Sequence, residues 1–116
     1  LNEAMRLYSD GYASSDEIDA TIRDGLGLRW AFMGPFETID LNAPGGIKDY
    51  ISRYGPIFVE MAKNQTKIPD WSEEAGKKLE LERRKILSHD KLEDRAKKRN
   101  QLLKSLRKVK IDNGEA

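Results

Sequence analysis

The stretch Gly25-Leu26-Gly27-Leu28-Arg29-Trp30-Ala31-Phe32-Met33-Gly34-Pro35-Phe36-Glu37-Thr38-Ile39-Asp40-Leu41-Asn42 constrains the fold more than any other part of this chain. Gly25 and Gly27 follow a helical pattern and stand where a helix closes, because glycine takes positive φ without a Cβ clash. Gly34-Pro35 then reopens a helix, since proline at the first helical position gives up no hydrogen bond and its φ is already set. Between the two breaks, Leu28-Arg29-Trp30-Ala31-Phe32-Met33 reads as an apolar loop with one permanent charge in it. Two readings of that charge stand side by side. Arg29 is either part of a buried helix-to-helix connection and snorkels to water, or the centre of an anion site.

The flanking sequence follows the same helical grammar. Leu1, Ala4, Met5, Leu7 and Tyr8 repeat at helical spacing and end at the turn signal Asp10-Gly11. Ser14 with Glu17 forms a capping box, and Ile18, Ile22 and Leu26 make the apolar stripe of a second helix. Its acids gather at the start, favourably for the helix dipole. A third helix runs from Pro35 through Phe36 and Ile39 to about Leu41 and stops before Pro44-Gly45-Gly46. The fourth takes Ile47 to Tyr54 and is ended by Gly55-Pro56; the fifth runs from Ile57 to about Asn64, burying part of Phe58, Val59 and Met61.

After the break at Ile68-Pro69-Asp70-Trp71, Ser72 to Lys110 is dominated by Glu, Lys, Arg and Leu, the composition of one or two long helices. Asp70 with Glu73 caps its start. Leu79, Ile86 and Leu87 supply one sparse seam, and Leu92, Ala96, Leu102, Leu103, Leu106 and Val109 another. Ser88-His89-Asp90 is the joint, capped by Asp90 and Glu93. No strand pattern occurs. The expected architecture is all-α: a bundle of about five short helices over residues 1–70, then a long charged helical extension over 71–116.

The whole chain has 116 residues, a net charge of +1, one histidine and no cysteine. That length holds one domain with a modest core. Thiolate catalysis and disulfide stapling are excluded, and a cytoplasmic enzyme piece fits. No apolar run reaches transmembrane length, and no signal-peptide pattern opens the chain. One histidine and scattered carboxylates make no metal-ligand set. Gly25-Leu26-Gly27 is not a dinucleotide fingerprint, because it follows a helix rather than a strand and lacks the third glycine.

The run from Gly25 to Asp40 resembles the signature of the carboxy-terminal domain of the L-3-hydroxyacyl-CoA dehydrogenases, in the branch of λ-crystallin (L-gulonate 3-dehydrogenase) and the bacterial carnitine 3-dehydrogenases. Upstream, Glu3-Ala4-Met5-Arg6-Leu7-Tyr8-Ser9-Asp10-Gly11-Tyr12-Ala13-Ser14 is similar to the first helix of that domain and Asp16 to Asp24 to the second. Downstream, Gly45-Gly46-Ile47, Tyr50 and Tyr54-Gly55-Pro56 fit as well. Beyond Pro69 the likeness is only that of a charged helix. The resemblance implies an all-α, 6-phosphogluconate-dehydrogenase C-terminal-like fold, a homodimer, and NAD bound by a Rossmann domain on the amino-terminal side. It also implies that the catalytic His, its Glu partner, a nearby Ser and an Asn lie outside these residues. The expectation is therefore a fragment, opening inside its first helix and inactive alone.

The fatty-acid enzymes of that family have a shorter insert, without an equivalent of Leu28-Arg29-Trp30-Ala31. This departure points from a long acyl-CoA toward a small free 3-hydroxy acid, because a guanidinium fork matches a carboxylate in a bidentate way. Such a charge-assisted pair contributes ~1.5–3 kcal/mol, enough to orient a small polar substrate. The expected substrate-binding residues are Arg29 as carboxylate clamp, with Trp30, Phe32, Met33 and Pro35 as the wall. Asp40 offers a competing structural reading, in which it pairs with Arg29 or caps a neighbouring helix. No catalytic, cofactor-binding or metal-binding residue is expected within the chain.

Two further features read as structural. His89 sits between helix signals in a charged segment, a poor setting for a general base. Arg95 to Lys110 carries eight cationic side chains and no acid, but acids stand just upstream and no aromatic interleaves the run, so a solvated helix is preferred over a nucleic-acid surface. The alternative to a dehydrogenase domain is a stand-alone helical interaction module whose basic tail meets an acidic partner.

Overall fold

The computed structural model describes residues 1–115 and is all-α, with no strand among the described residues. It divides into two compact units, the first spanning Leu1–Asp70 and the second opening at Trp71.

In the first unit α1 (Asn2–Ser9) turns Met5 and Tyr8 inward, its two buried residues. Arg6 reaches back to Glu3 and forward to Asp10 at 3.8 Å, and Lys67 also meets Asp10. The helix stops as read, at Gly11, whose φ of +77° is cheap only for glycine. α2 (Ser15–Thr21) begins on the expected capping box: the Glu17 amide donates to Ser14 Oγ at 3.3 Å, and the Ser14 amide donates to Glu17 Oε2 at 2.8 Å.

The segment after α2 departs from the sequence expectation. Gly25 and Gly27 do not take positive φ. The chain passes from α2 through a π turn, Ile22–Leu26, directly into α3 (Gly27–Trp30). Leu28 to Met33 is therefore not a loop but a helical turn followed by a tight bend. Glycine at position 27 answers a different need: a Cβ there would lie 2.6 Å from the Ile22 carbonyl oxygen.

Pro35 opens α4 (Pro35–Leu41) as expected, with Gly34 as its N-cap. α5 (Gly46–Asn64) then runs unbroken through Gly55-Pro56, where two short helices were expected. The reason lies in residue 55. The residue before a proline avoids helical geometry because its Cβ meets the proline ring, and glycine has none. Pro56 has no amide to give the Ser52 carbonyl, and its ring crowds that carbonyl.

Two carboxylates hold the start of α5. Asp40 Oδ1 accepts from the Ile47 amide at 2.7 Å, and Asp49 Oδ2 accepts from the Gly45 amide at 3.1 Å. Gly46, at φ +75°, lets the chain turn there, and a Cβ on it would sit 2.9 Å from Asp40 Oδ1. α5 buries none of its residues: Ile51, Tyr54, Ile57, Phe58, Val59 and Met61 are all more than two-fifths exposed.

The second unit holds α6 (Glu73–Ile86), a 3-10 turn (His89–Lys91) and α7 (Leu92–Asp112). Ser72, not Asp70, caps α6, accepting from the Ala75 amide at 3.2 Å. The expected joint is present, but Asp90 does not cap α7; its carboxylate takes the Ser88 hydroxyl at 2.6 Å. Pairs such as Glu80–Arg84 at 3.0 Å and Glu93–Lys97 at 2.8 Å lace the helices at i,i+4 spacing. No helix among the described residues is long and apolar enough to cross a membrane.

Candidate functional site

The site is built on the connection from α2 to α4. Ser14 and Glu17 fix where the helical path begins, the π turn offsets it, and Gly34-Pro35 fixes where the next helix starts. Between them the Arg29 carbonyl accepts twice, from the Phe32 amide at 3.1 Å and the Met33 amide at 3.2 Å. This double acceptance closes the bend that Ala31-Phe32 makes, and the local sequence offers no other cap.

Arg29, Trp30, Phe32, Met33 and Pro35 thus come together by chain continuity on α3, the bend and the first residue of α4. Arg29 is exposed and makes no ion pair among the described residues. Trp30 is 51% exposed and Phe32 43%, so neither is core. Met33 is half-buried and Pro35 exposed. Phe36, at 74%, is more open still. The arrangement is a guanidinium set among uncovered aromatic surface, able to hold a carboxylate wherever a second surface excludes water from it.

The competing role for Asp40 resolves toward capping, since its Oδ1 is engaged by the Ile47 amide. The bend's arginine is therefore left to other anions. Nearby electrostatics is short-range and self-contained. Arg53, first, and the Gly45 amide, second, hold the Asp49 carboxyl below the usual carboxylate range. Arg23 does the same to Asp24 across a pair at 2.8 Å.

Sequence reasoning missed an aromatic ladder on α5. Tyr50 lies 4.8 Å from Tyr54 and 6.3 Å from Phe58, centroid to centroid. The i, i+4, i+8 spacing was there to be read, but placing a helix end at Gly55-Pro56 cut it in two. His89 lies in the exposed 3-10 turn of the second unit. The described residues bring together no group of three or more histidine, cysteine or carboxylate side chains that could hold a metal ion.

Comparison with known proteins adds the family. Residues 1–86 match the family described as 3-hydroxyacyl-CoA dehydrogenase, C-terminal domain. The chain is 36% identical over 112 residues to lambda-crystallin of Oryctolagus cuniculus, covering 95% of this chain and 35% of that protein. It is 47% identical over 57 residues to an L-carnitine dehydrogenase of Pseudomonas putida, covering 48% of this chain and 18% of that one. With the L-carnitine dehydrogenase of Oceanobacillus iheyensis the figures are 32% over 106 residues, 90% and 34%. The chain spans about a third or less of the length of these relatives. With an all-α fold and a matched segment that contains the whole α2–α4 connection, the chain belongs to the 3-hydroxyacyl-CoA dehydrogenase C-terminal domain family.

Proposed function

We propose that this chain is the substrate-facing and dimerising helical domain of an NAD-dependent dehydrogenase that oxidises the 3-hydroxyl of a small L-3-hydroxy acid. Arg29 clamps the substrate carboxylate, and Trp30, Phe32, Met33 and Pro35 form the wall that keeps water from it. The observation that carries this reading is an exposed guanidinium with no ion pair among the described residues, flanked by uncovered aromatics, while Asp40 is engaged elsewhere. Two relatives bear the name L-carnitine dehydrogenase, and carnitine is a small free 3-hydroxy acid, which supports this substrate class.

The described residues are helical, with no strand to lead into a strand-turn-helix phosphate cradle. In this reading the dinucleotide and the proton-abstracting groups belong to a Rossmann domain of the same polypeptide. The exposed face of α5, with Ile57, Phe58 and Met61, suits a second copy of the chain.

The test is dinucleotide reduction by the full-length polypeptide on matched free 3-hydroxy acids and their CoA thioesters, with and without Arg29→Ala. Loss of a charge-assisted pair raises KM for the free acids about tenfold to a hundredfold and leaves thioester turnover unchanged. Preferred thioesters with a harmless substitution would make Arg29 structural and return the assignment to acyl-CoA.

A further inference from the structure

The helical path from α2 into α3 carries one residue more than an α-helix between the same ends needs. The surplus is absorbed in the π turn Ile22–Leu26, where the Gly27 amide donates to the Ile22 carbonyl, five residues back. A methyl group at position 27 does not fit this turn, because its Cβ would stand 2.6 Å from the Ile22 oxygen, and a backbone carbonyl cannot swing aside as the end of a side chain can. In an uninterrupted α-helix the same amide turns to the Arg23 carbonyl, four residues back. Everything beyond it then advances by one residue, about 100° around the axis and about 1.5 Å along it. At the edge of the side-chain envelope that rotation moves a head group by roughly 8 Å.

We infer that Gly27 is a positioning residue: by holding the π turn it sets the azimuth of Leu28 to Met33 relative to α2, and so decides which side of the domain Arg29 presents. Its consequence for substrate choice rests on the carboxylate-clamp reading of Arg29; the register itself rests on the backbone alone. Gly25 has the complementary property. It lies inside the turn and carries no side chain, so its deletion takes out one residue of backbone and no side-chain contact. Its removal takes out the surplus, turns Ser15 to Trp30 into a plain α-helix, and leaves the downstream azimuth where the π turn had it.

These 116 residues hold no cysteine, so once any cysteine elsewhere in the full-length polypeptide is replaced by serine the register is directly measurable. Asp19 and Leu28 are both exposed and flank the turn, so nitroxides on Asp19→Cys and Leu28→Cys report the angle between the two helical segments. In the full-length polypeptide, Gly27→Ala is expected to lengthen the label distance by roughly 6 Å, and removal of Gly25 in the same chain to bring it back. Removal of Gly25 alone leaves the distance unchanged, and if Gly27→Ala does not fold by itself, the test is whether removing Gly25 in the same chain restores folding at the native distance. An unchanged distance in folded Gly27→Ala, no restoration in the double variant, or a changed distance on removing Gly25 alone overturns the assignment.

The second arm reads KM for free 3-hydroxy acids in the same variants without labels. It follows the distance, rising about tenfold with Gly27→Ala and returning with the compensating deletion, while kcat holds. Distances that shift as expected with a flat KM leave the register standing and remove the clamp role of Arg29.

Discussion

Replacing Asp40 by alanine separates the two roles its position allows, and the structure sets the size of the effect. Its Oδ1 takes the Ile47 amide at 2.7 Å, one of the orphan donors at the start of α5, and it does so from α4, seven residues upstream. Loss of a side-chain cap costs about 1 kcal/mol, and the charge on the acceptor raises that toward 2 kcal/mol. Exposure of the residue pulls the other way, so about 1.5 kcal/mol is the working value. For a helical unit of this size that lowers Tm by about 6–12 °C. Asp40→Asn, which keeps an oxygen acceptor but not the charge, should lose less than half as much.

The decisive assay is a double-mutant cycle by thermal or denaturant unfolding with Asp40→Ala, Arg29→Ala and the pair. If Asp40 serves only the α5 terminus, the two changes add to within about 0.3–0.5 kcal/mol. A coupling above about 1 kcal/mol would show that the two side chains hold each other, and the reasoning that frees Arg29 for a substrate carboxylate would be refuted.

Other outcomes rest on single contacts. The Thr38 hydroxyl is buried, the residue being 7% exposed, and has no partner among the described residues, so Thr38→Val should stabilise the unit by about 1 kcal/mol in urea unfolding. Pro56→Ala returns an amide to the middle of α5 and should raise stability by roughly 1–3 kcal/mol; a lower Tm would mean the proline ring is packed against something essential. Asp49 has its pKa lowered by Arg53 and by the Gly45 amide, so its stabilising share is complete above the ordinary carboxylate pKa and is lost as pH falls through its lower folded value. Unfolding followed from pH 6 down to about 2.5 should show that acid loss in the native chain and a smaller one in Asp49→Asn.

Legibility followed locality. The Ser14–Glu17 box, the stop at Gly11 and the start at Pro35 each depend on residues within one turn, and all three stand as read. Gly27 misled because glycine serves two needs that look alike in sequence: a positive φ, or room for a carbonyl pressed against the backbone. Gly55-Pro56 misled for a related reason, since the residue that lets a proline stay in a helix is also the residue that commonly ends one. Ser72 won over Asp70 because a cap must sit immediately before the first turn and extended there, and Ser72 has φ −67° and ψ 162°.

At the site, Arg29 was expected in a loop and stands on α3 instead, while for Asp40 capping of a neighbouring helix was one of two open readings, the choice between them hidden because its partner lies seven residues on and across a turn. The uncovered state of Trp30 and Phe32 was equally hidden. Apolar composition says that a side chain will be buried against something, and says nothing of whether that something lies in the same stretch of chain.

The open face of α5 governs the life of the polypeptide before any partner reaches it. Ile51, Tyr54, Ile57, Phe58 and Met61 lie along one helix with about half of each side chain in water. Holdase chaperones and quality-control proteases engage such apolar surface, and a chain that shows it for long is removed. Under the proposal that a second copy covers that face, the cellular amount of this protein should follow how fast it is covered rather than how fast the chain is synthesised, and a substitution that only slows covering would lower abundance while leaving every assembled molecule fully competent.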